Sequence, residues 1–212
     1  MPFNNYKSIA NVLTEFPLTY QEKEFISSNS VVTPEINPYF LERLQLVLQE
    51  GVVFNSEYAI CENVIAPILV EIWLQYRDKL QLWSHQPLNF DEKLSGVPDY
   101  LVARRSPRGK VILDHPYLVL VEAKKDNFEE GWGQCLAELI AAQKLNDDPS
   151  NAVFGIVSNG KLWEFGKLKN DIFTKNIRYY TLENLSILMN ALHFIFTESI
   201  NQIIDISKNW KA

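Results

Sequence analysis

Cysteine and histidine are scarce in this chain of 212 residues, with two of the first and three of the second. Cys61 and Cys135 each fall within a stretch that reads as helix, with no CxxC and no disulfide spacing. His85, His115 and His193 are scattered and lack the spacing of metal ligands. No glycine pattern of the Walker or dinucleotide type occurs, so neither ATP nor NAD is implied. No window approaches about 18 uninterrupted apolar residues, so no transmembrane helix is expected. The first residues lack a basic segment followed by an apolar one, so a signal peptide is not expected and the cytoplasm is the expected location. Positive charge is also in deficit: 20 Lys and Arg against 26 Asp and Glu give −6. That excludes a polybasic nucleic-acid binder held by net charge, though not a nuclease whose basic groups gather on one face.

What is present is an ordinary globular balance, 47% hydrophobic and 22% charged, with length enough for one domain and an appended segment. Ile9, Val12, Leu13 and Phe16 recur at helical spacing, as do Phe40, Leu41, Leu44 and Leu48 after Pro38, with Gly51 placed to end that helix. Residues 33–38 read as a connector. Ser56 can cap a helix that starts at Glu57 and runs to Trp73, with a kink or break expected at Pro67.

Two apolar runs, Val97 to Ala103 and Tyr117 to Val121, predict strands separated by the turn residues Ser106-Pro107-Arg108-Gly109. The second run is apolar throughout, which suits a central strand covered on both faces. Glu129 to Leu145 predicts a helix. Ala152 to Val157 and Leu162 to Phe165 predict a hairpin around Asn159-Gly160. A short strand at Tyr179-Tyr180 and a long helix from Leu182 to Ile206 close the chain. Basic residues cluster at Arg104, Arg105, Arg108 and Lys110, and again between Lys161 and Arg178. Each cluster fits solvated surface; together they allow a basic face.

Chemistry concentrates at the end of the apolar strand, in Val121-Glu122-Ala123-Lys124. Glu122 and Lys124 are two residues apart and so share a strand face. With a hairpin turn centred near Lys110, antiparallel register sets Asp99, in Gly96-Val97-Pro98-Asp99, opposite Glu122. Two hard carboxylates and a lysine are what Mg²⁺-assisted attack on a phosphodiester needs. The same spacing fits a salt bridge at a strand end.

The order of these pieces resembles the PD-(D/E)XK nuclease superfamily, and in particular the N-terminal nuclease domain of type I restriction subunits. Ser56-Glu57 with Pro67 is similar to that family's acidic first helix. Gln134 is similar to the glutamine on the helix after the catalytic strand, and Gly155 to Phe165 to its hairpin. The resemblance covers roughly residues 56–168. It implies an α/β fold with a restriction-endonuclease-like core: a mixed central sheet flanked by helices, spanning residues 52–212, with residues 1–51 as an N-terminal helical extension. It further implies a metal-dependent DNA endonuclease using Mg²⁺, with Mn²⁺ as substitute, or else a non-catalytic module on the same scaffold. Asp99 and Glu122 would be metal ligands, joined by the Ala123 carbonyl. Lys124 would position the attacking water. Glu57 would complete the metal shell or hold a water, with Glu62 its rival on the same helix. Gln134 would orient Lys124 or contact a phosphate. Cutting both strands takes two sites, which is compatible with a homodimer.

Overall fold

The computed structural model describes residues 2–26 and 36–209, so residues 33–35 of the expected connector lie outside the described residues. The architecture is α/β, and its centre is β6 (Leu113–Ala123). Antiparallel β5 (Tyr100–Arg105) lies on one side of it and parallel β7 (Val153–Ser158) on the other. A parallel neighbour needs a crossover, and α5 (Phe128–Asn146) supplies it. The sheet order is β1 (Thr19–Glu22), β9 (Ile172–Lys175), β8 (Leu162–Lys169), β7, β6, β5 and β2 (Leu80–Ser84), with β10 (Tyr180–Thr181) also paired to β8. Both faces of β6 are covered, as its unbroken apolar run requires. Val119 and Val121 sink among the residues of α4 (Ala66–Leu74) and α6 (Leu185–Asn209), whereas Leu120 sinks among those of α5.

The helix ends follow their local chemistry. Asn37 caps α2 (Pro38–Glu50), accepting from the Tyr39 N–H at 3.0 Å, and the Gly51 N–H closes the other end on Val47 O at 2.9 Å. Ser56 caps α3 (Glu57–Ile60), its hydroxyl accepting from the Ala59 N–H at 3.1 Å. Pro67 does not break the helix that follows. One π turn, Cys61–Ile65, intervenes before α4. Pro67 has no N–H to return to the preceding turn, and the widened π turn absorbs both the lost bond and the ring.

Three strands fall where the sequence carries no strand pattern: β1 (Thr19–Glu22), β2 (Leu80–Ser84) and β9 (Ile172–Lys175). The first 50 residues, expected to be helical, therefore also supply a strand, which pairs parallel to β9. All four β1 side chains are exposed, so no alternation marks it. Beside it, α1 (Ile9–Glu15) and the preceding turn put Phe3, Tyr6 and Val12 into the cluster under α5. Phe40 and Leu44 of α2 join the opposite cluster. The β7–β8 hairpin turns at Asn159-Gly160, where Asn159 Oδ1 accepts from the Lys161 and Leu162 N–H groups. Gly160 has φ +80°, and a Cβ there would lie 2.9 Å from Ile60 Cγ2. Among the described residues no helix is long and apolar enough to cross a membrane.

Candidate active site

Register decides the site. Tyr100 pairs with Val121, so the next pair outward is Asp99 and Glu122. The strand begins at Tyr100 rather than at the expected Val97, and the pairing slips at two places nearer the turn. Neither change disturbs the end that matters. The Ala123 N–H donates to Asp99 Oδ2 at 2.7 Å, and Lys124 Nζ lies 2.9 Å from Glu122 Oε1. Glu57 arrives from the start of α3. Its Oε1 is 3.9 Å from Lys124 Nζ, and its Oε2 accepts from the Lys125 N–H at 3.3 Å. The sequence-predicted Asp99, Glu122, Ala123, Lys124 and Glu57 thus share one end of the two central strands. Glu62 does not join them; it is exposed within the π turn.

The helix α5 forms the back wall. A Cβ on Gly131 would sit 2.9 Å from Lys124 Cγ, so only glycine lets the lysine stem lie against the helix. Gln134, 5% exposed, turns to the N-terminal segment and donates from Nε2 to Asn4 Oδ1 at 2.6 Å. The residue that α5 turns toward Glu122 is Glu138, 1% exposed. Its carboxyl donates a hydrogen bond to Glu122, and its Oε2 has no partner among the described residues. Sequence reasoning missed it, although a signal was there. Glu138 is the lone charged residue between Gly131 and Gln143, inside a stripe that is otherwise apolar or small.

Burial sets the electrostatics. It pushes Glu122 up to about 7, with the Asp99 charge adding and Lys124 offsetting only in part. Burial likewise raises Asp99, against the Ala123 N–H, Lys124 and His85, which favour its charged form. Glu138 is raised well above the carboxylate range, by burial first and then by Glu122 and Asp99. Burial pulls Lys124 down, but Glu122, Glu57 and Asp99 outweigh it and leave the amine raised. The charged form of Lys124 is therefore favoured, and burial favours the neutral form of Glu138.

No protein-family model and no curated protein matches the chain. The site has to be read from its own geometry.

The donor set suits a hard divalent cation. The buried carboxyls of Glu122 and Glu138 and the half-buried one of Asp99 lie about the half-buried Lys124 ammonium, and the carboxylate oxygens are hard donors. Among the described residues no group of three or more His, Cys, Asp or Glu side chains is gathered as a ready-made cage. Asp99 Oδ2 accepts from the Ala123 N–H, and Glu122 Oε1 pairs with Lys124.

The two basic clusters do not converge on this end. Arg104 pairs with Asp114 at 3.1 Å and Arg105 donates to Arg77 O at 2.7 Å. Both lie at the far end of β5, about 20 Å from Asp99 at the usual rise per residue. Lys175 is held by Glu164 at 2.9 Å, and Lys167 stands over the Phe25 ring. Only Lys161, in the hairpin after Ser158, lies at the same end, because Ser158 pairs with Ala123.

Glu138 can be tested by stability. Glu138→Gln keeps a donor for Glu122 and should remain within about 1 kcal/mol of wild type. Glu138→Ala leaves both a void and an unpartnered Glu122, at a cost of roughly 2–4 kcal/mol. Urea unfolding at neutral pH measures both.

Proposed function

We propose that the protein is a divalent-metal-dependent endonuclease of the PD-(D/E)XK, restriction-endonuclease-like kind, hydrolysing DNA phosphodiester bonds in the cytoplasm. The observation that carries this reading is the meeting of Asp99, Glu122 and Lys124 at one end of adjacent central strands, with Glu122 buried and Asp99 half-buried. Asp99, Glu122 and the Ala123 carbonyl would hold Mg²⁺ or Mn²⁺. When bound, such an ion stabilises the charge that develops on the phosphate.

The chain's own groups supply the rest. Lys124 stays protonated, so it acts as a hydrogen-bond donor that positions the attacking water, not as a base. Water attacks phosphorus and gives up a proton to bulk water, one P–O ester bond breaks, and the leaving oxygen takes up a proton from bulk water, so that one water is added in all. Glu138, neutral and donating to Glu122, keeps that carboxylate turned toward the strand end. Glu57, at 43% side-chain exposure, is the one acid of the group open enough to hold a water at the rim. Cleavage of both strands would use two copies of the chain.

A second reading is a non-catalytic DNA-binding or interaction module on the same scaffold. It is favoured by the mutual satisfaction of Lys124 with Glu122 and of Asp99 with the Ala123 N–H. Incubation with plasmid and single-stranded DNA in Mg²⁺, Mn²⁺ and EDTA separates the two. Cleavage with a metal and none in EDTA is expected. Intact DNA in every metal would leave the non-catalytic module.

A further inference from the structure

Beside the acidic site lies a cavity of about 490 Å³, between the helix that carries Glu57 and the β2–β5 edge. Its walls include Tyr58, Cys61, Glu62, Trp73, His85 and Tyr100. The volume is in the range of small-ligand sites. Aromatic rings and small aliphatic side chains share the walls, and the rings differ in how firmly they are held. Trp73 is half-buried and tied by Nε1 to Leu80 O at 2.9 Å. Tyr100 is buried beside Cys61. Tyr58 stands at the rim, 76% exposed.

One polar group remains uncommitted. Glu62, which the π turn carries onto this side, has no hydrogen-bond or ion-pair partner among the described side chains. A carboxylate only accepts, so it suits a ligand that presents an amino group. The cavity is also continuous with the candidate site. His85 lines it, and His85 Nε2 lies 3.6 Å from Asp99 Oδ1 while its backbone N–H bonds Asp99 O at 3.0 Å. Positive charge that could track a duplex backbone is committed elsewhere or lies at the far end of β5. A base held by stacking needs little of it.

We infer that this cavity seats one unpaired, amino-bearing nucleobase, cytosine or adenine, from a single-stranded segment of DNA beside the scissile phosphate. The inference rests on the nuclease reading and specifies its substrate. Tyr58 and Trp73 offer faces for the ring, and Glu62 accepts from its exocyclic amine.

The test is fluorescence anisotropy with labelled oligo-dC and oligo-dT eight-mers in EDTA, alongside cleavage of the same oligomers in Mn²⁺. Tyr58 and Glu62 are exposed, so Tyr58→Ala and Glu62→Ala should fold, which circular dichroism verifies. Wild type should bind oligo-dC about ten-fold more tightly than oligo-dT. Tyr58→Ala should weaken both by about ten-fold. Glu62→Ala, which removes the acceptor, should abolish the preference while keeping most of the affinity. Equal binding by wild type and Tyr58→Ala, or a preference that survives Glu62→Ala, overturns the inference. If cleavage occurs without dependence on Tyr58 or Glu62, the cavity assignment fails and the nuclease reading stands. If base binding follows both residues and no metal supports cleavage, the nuclease reading fails and the cavity assignment stands.

Discussion

Lys124→Ala is expected to lower metal-dependent DNA cleavage by about 100-fold or more while Mn²⁺ and DNA still bind. The ammonium is not a ligand in the proposed site, and the carboxylates hold it in place, Glu122 at 2.9 Å and Glu57 at 3.9 Å. Removing it takes away the donor that positions water but no oxygen that would contact a cation. It also makes Glu122 easier to protonate, so Mn²⁺ affinity is best compared at about pH 8.5. Asp99→Asn should behave differently. It keeps the shape and removes a formal charge from the donor set, so Mn²⁺ affinity and cleavage should fall together. Calorimetric Mn²⁺ titration, a cleavage time course and melting temperature on wild type and both variants make the comparison. Should wild type show no cleavage in any metal, and both variants simply melt earlier, the trio is a structural ion pair and the nuclease reading is wrong.

Raising the pH from about 5 to about 8 should lower the melting temperature of the metal-free protein. Glu122 is raised from 4.5 to about 7, and Asp99 and Glu138 are raised with it. Between those values the folded chain binds more protons than the unfolded one. Stability from these groups is therefore complete below about pH 4.5 and is lost as pH climbs through about 7. Glu122 alone accounts for about 3 kcal/mol at the usual conversion, since its side chain is only 6% exposed. Asp114 and Glu130, held below their ordinary values, act in the opposite sense at more acid pH. Two controls identify the source. Glu122→Gln should flatten the loss above pH 6, and Mg²⁺ added near pH 8 should restore stability to wild type but not to that variant. A melting temperature that rises or stays level from pH 5 to 8 would refute the buried-acid account.

The candidate site is legible in the sequence wherever a strand carries its own signal. The apolar run before Glu122 announces a buried strand, and Ser106 to Gly109 announces the turn. Together they set Asp99 against Glu122, which Tyr100 opposite Val121 bears out. What stays hidden is whatever depends on a partner far along the chain. β1 exposes all four side chains and exists because β9 offers it a ladder. Gln134 reads as a helical glutamine, but its partner Asn4 lies 130 positions earlier. Spacing on one helix puts Glu57 and Glu62 on different faces. Which face meets Lys124, and what the π turn does with the other, depends on the hairpin and strands packed alongside. Glu138 shows the limit most plainly, because a lone acid in an apolar stripe signals burial without saying beside what.

The contacts of the first 22 residues bear on the order of assembly. Lys7 reaches Glu130 across 123 positions, Asn4 reaches Gln134 across 130 and Gln21 reaches Thr174 across 153. A Cβ on Gly133 would lie 2.5 Å from Tyr6 O, so this segment lies tight against α5. During synthesis these residues leave the ribosome before α5 and the strands they dock against, so their docking has to wait for that later stretch of chain. The helix that backs Lys124 and Glu138 is then clamped from its outer side by residues more than 120 positions earlier, and the geometry of the acidic site depends on that distant segment.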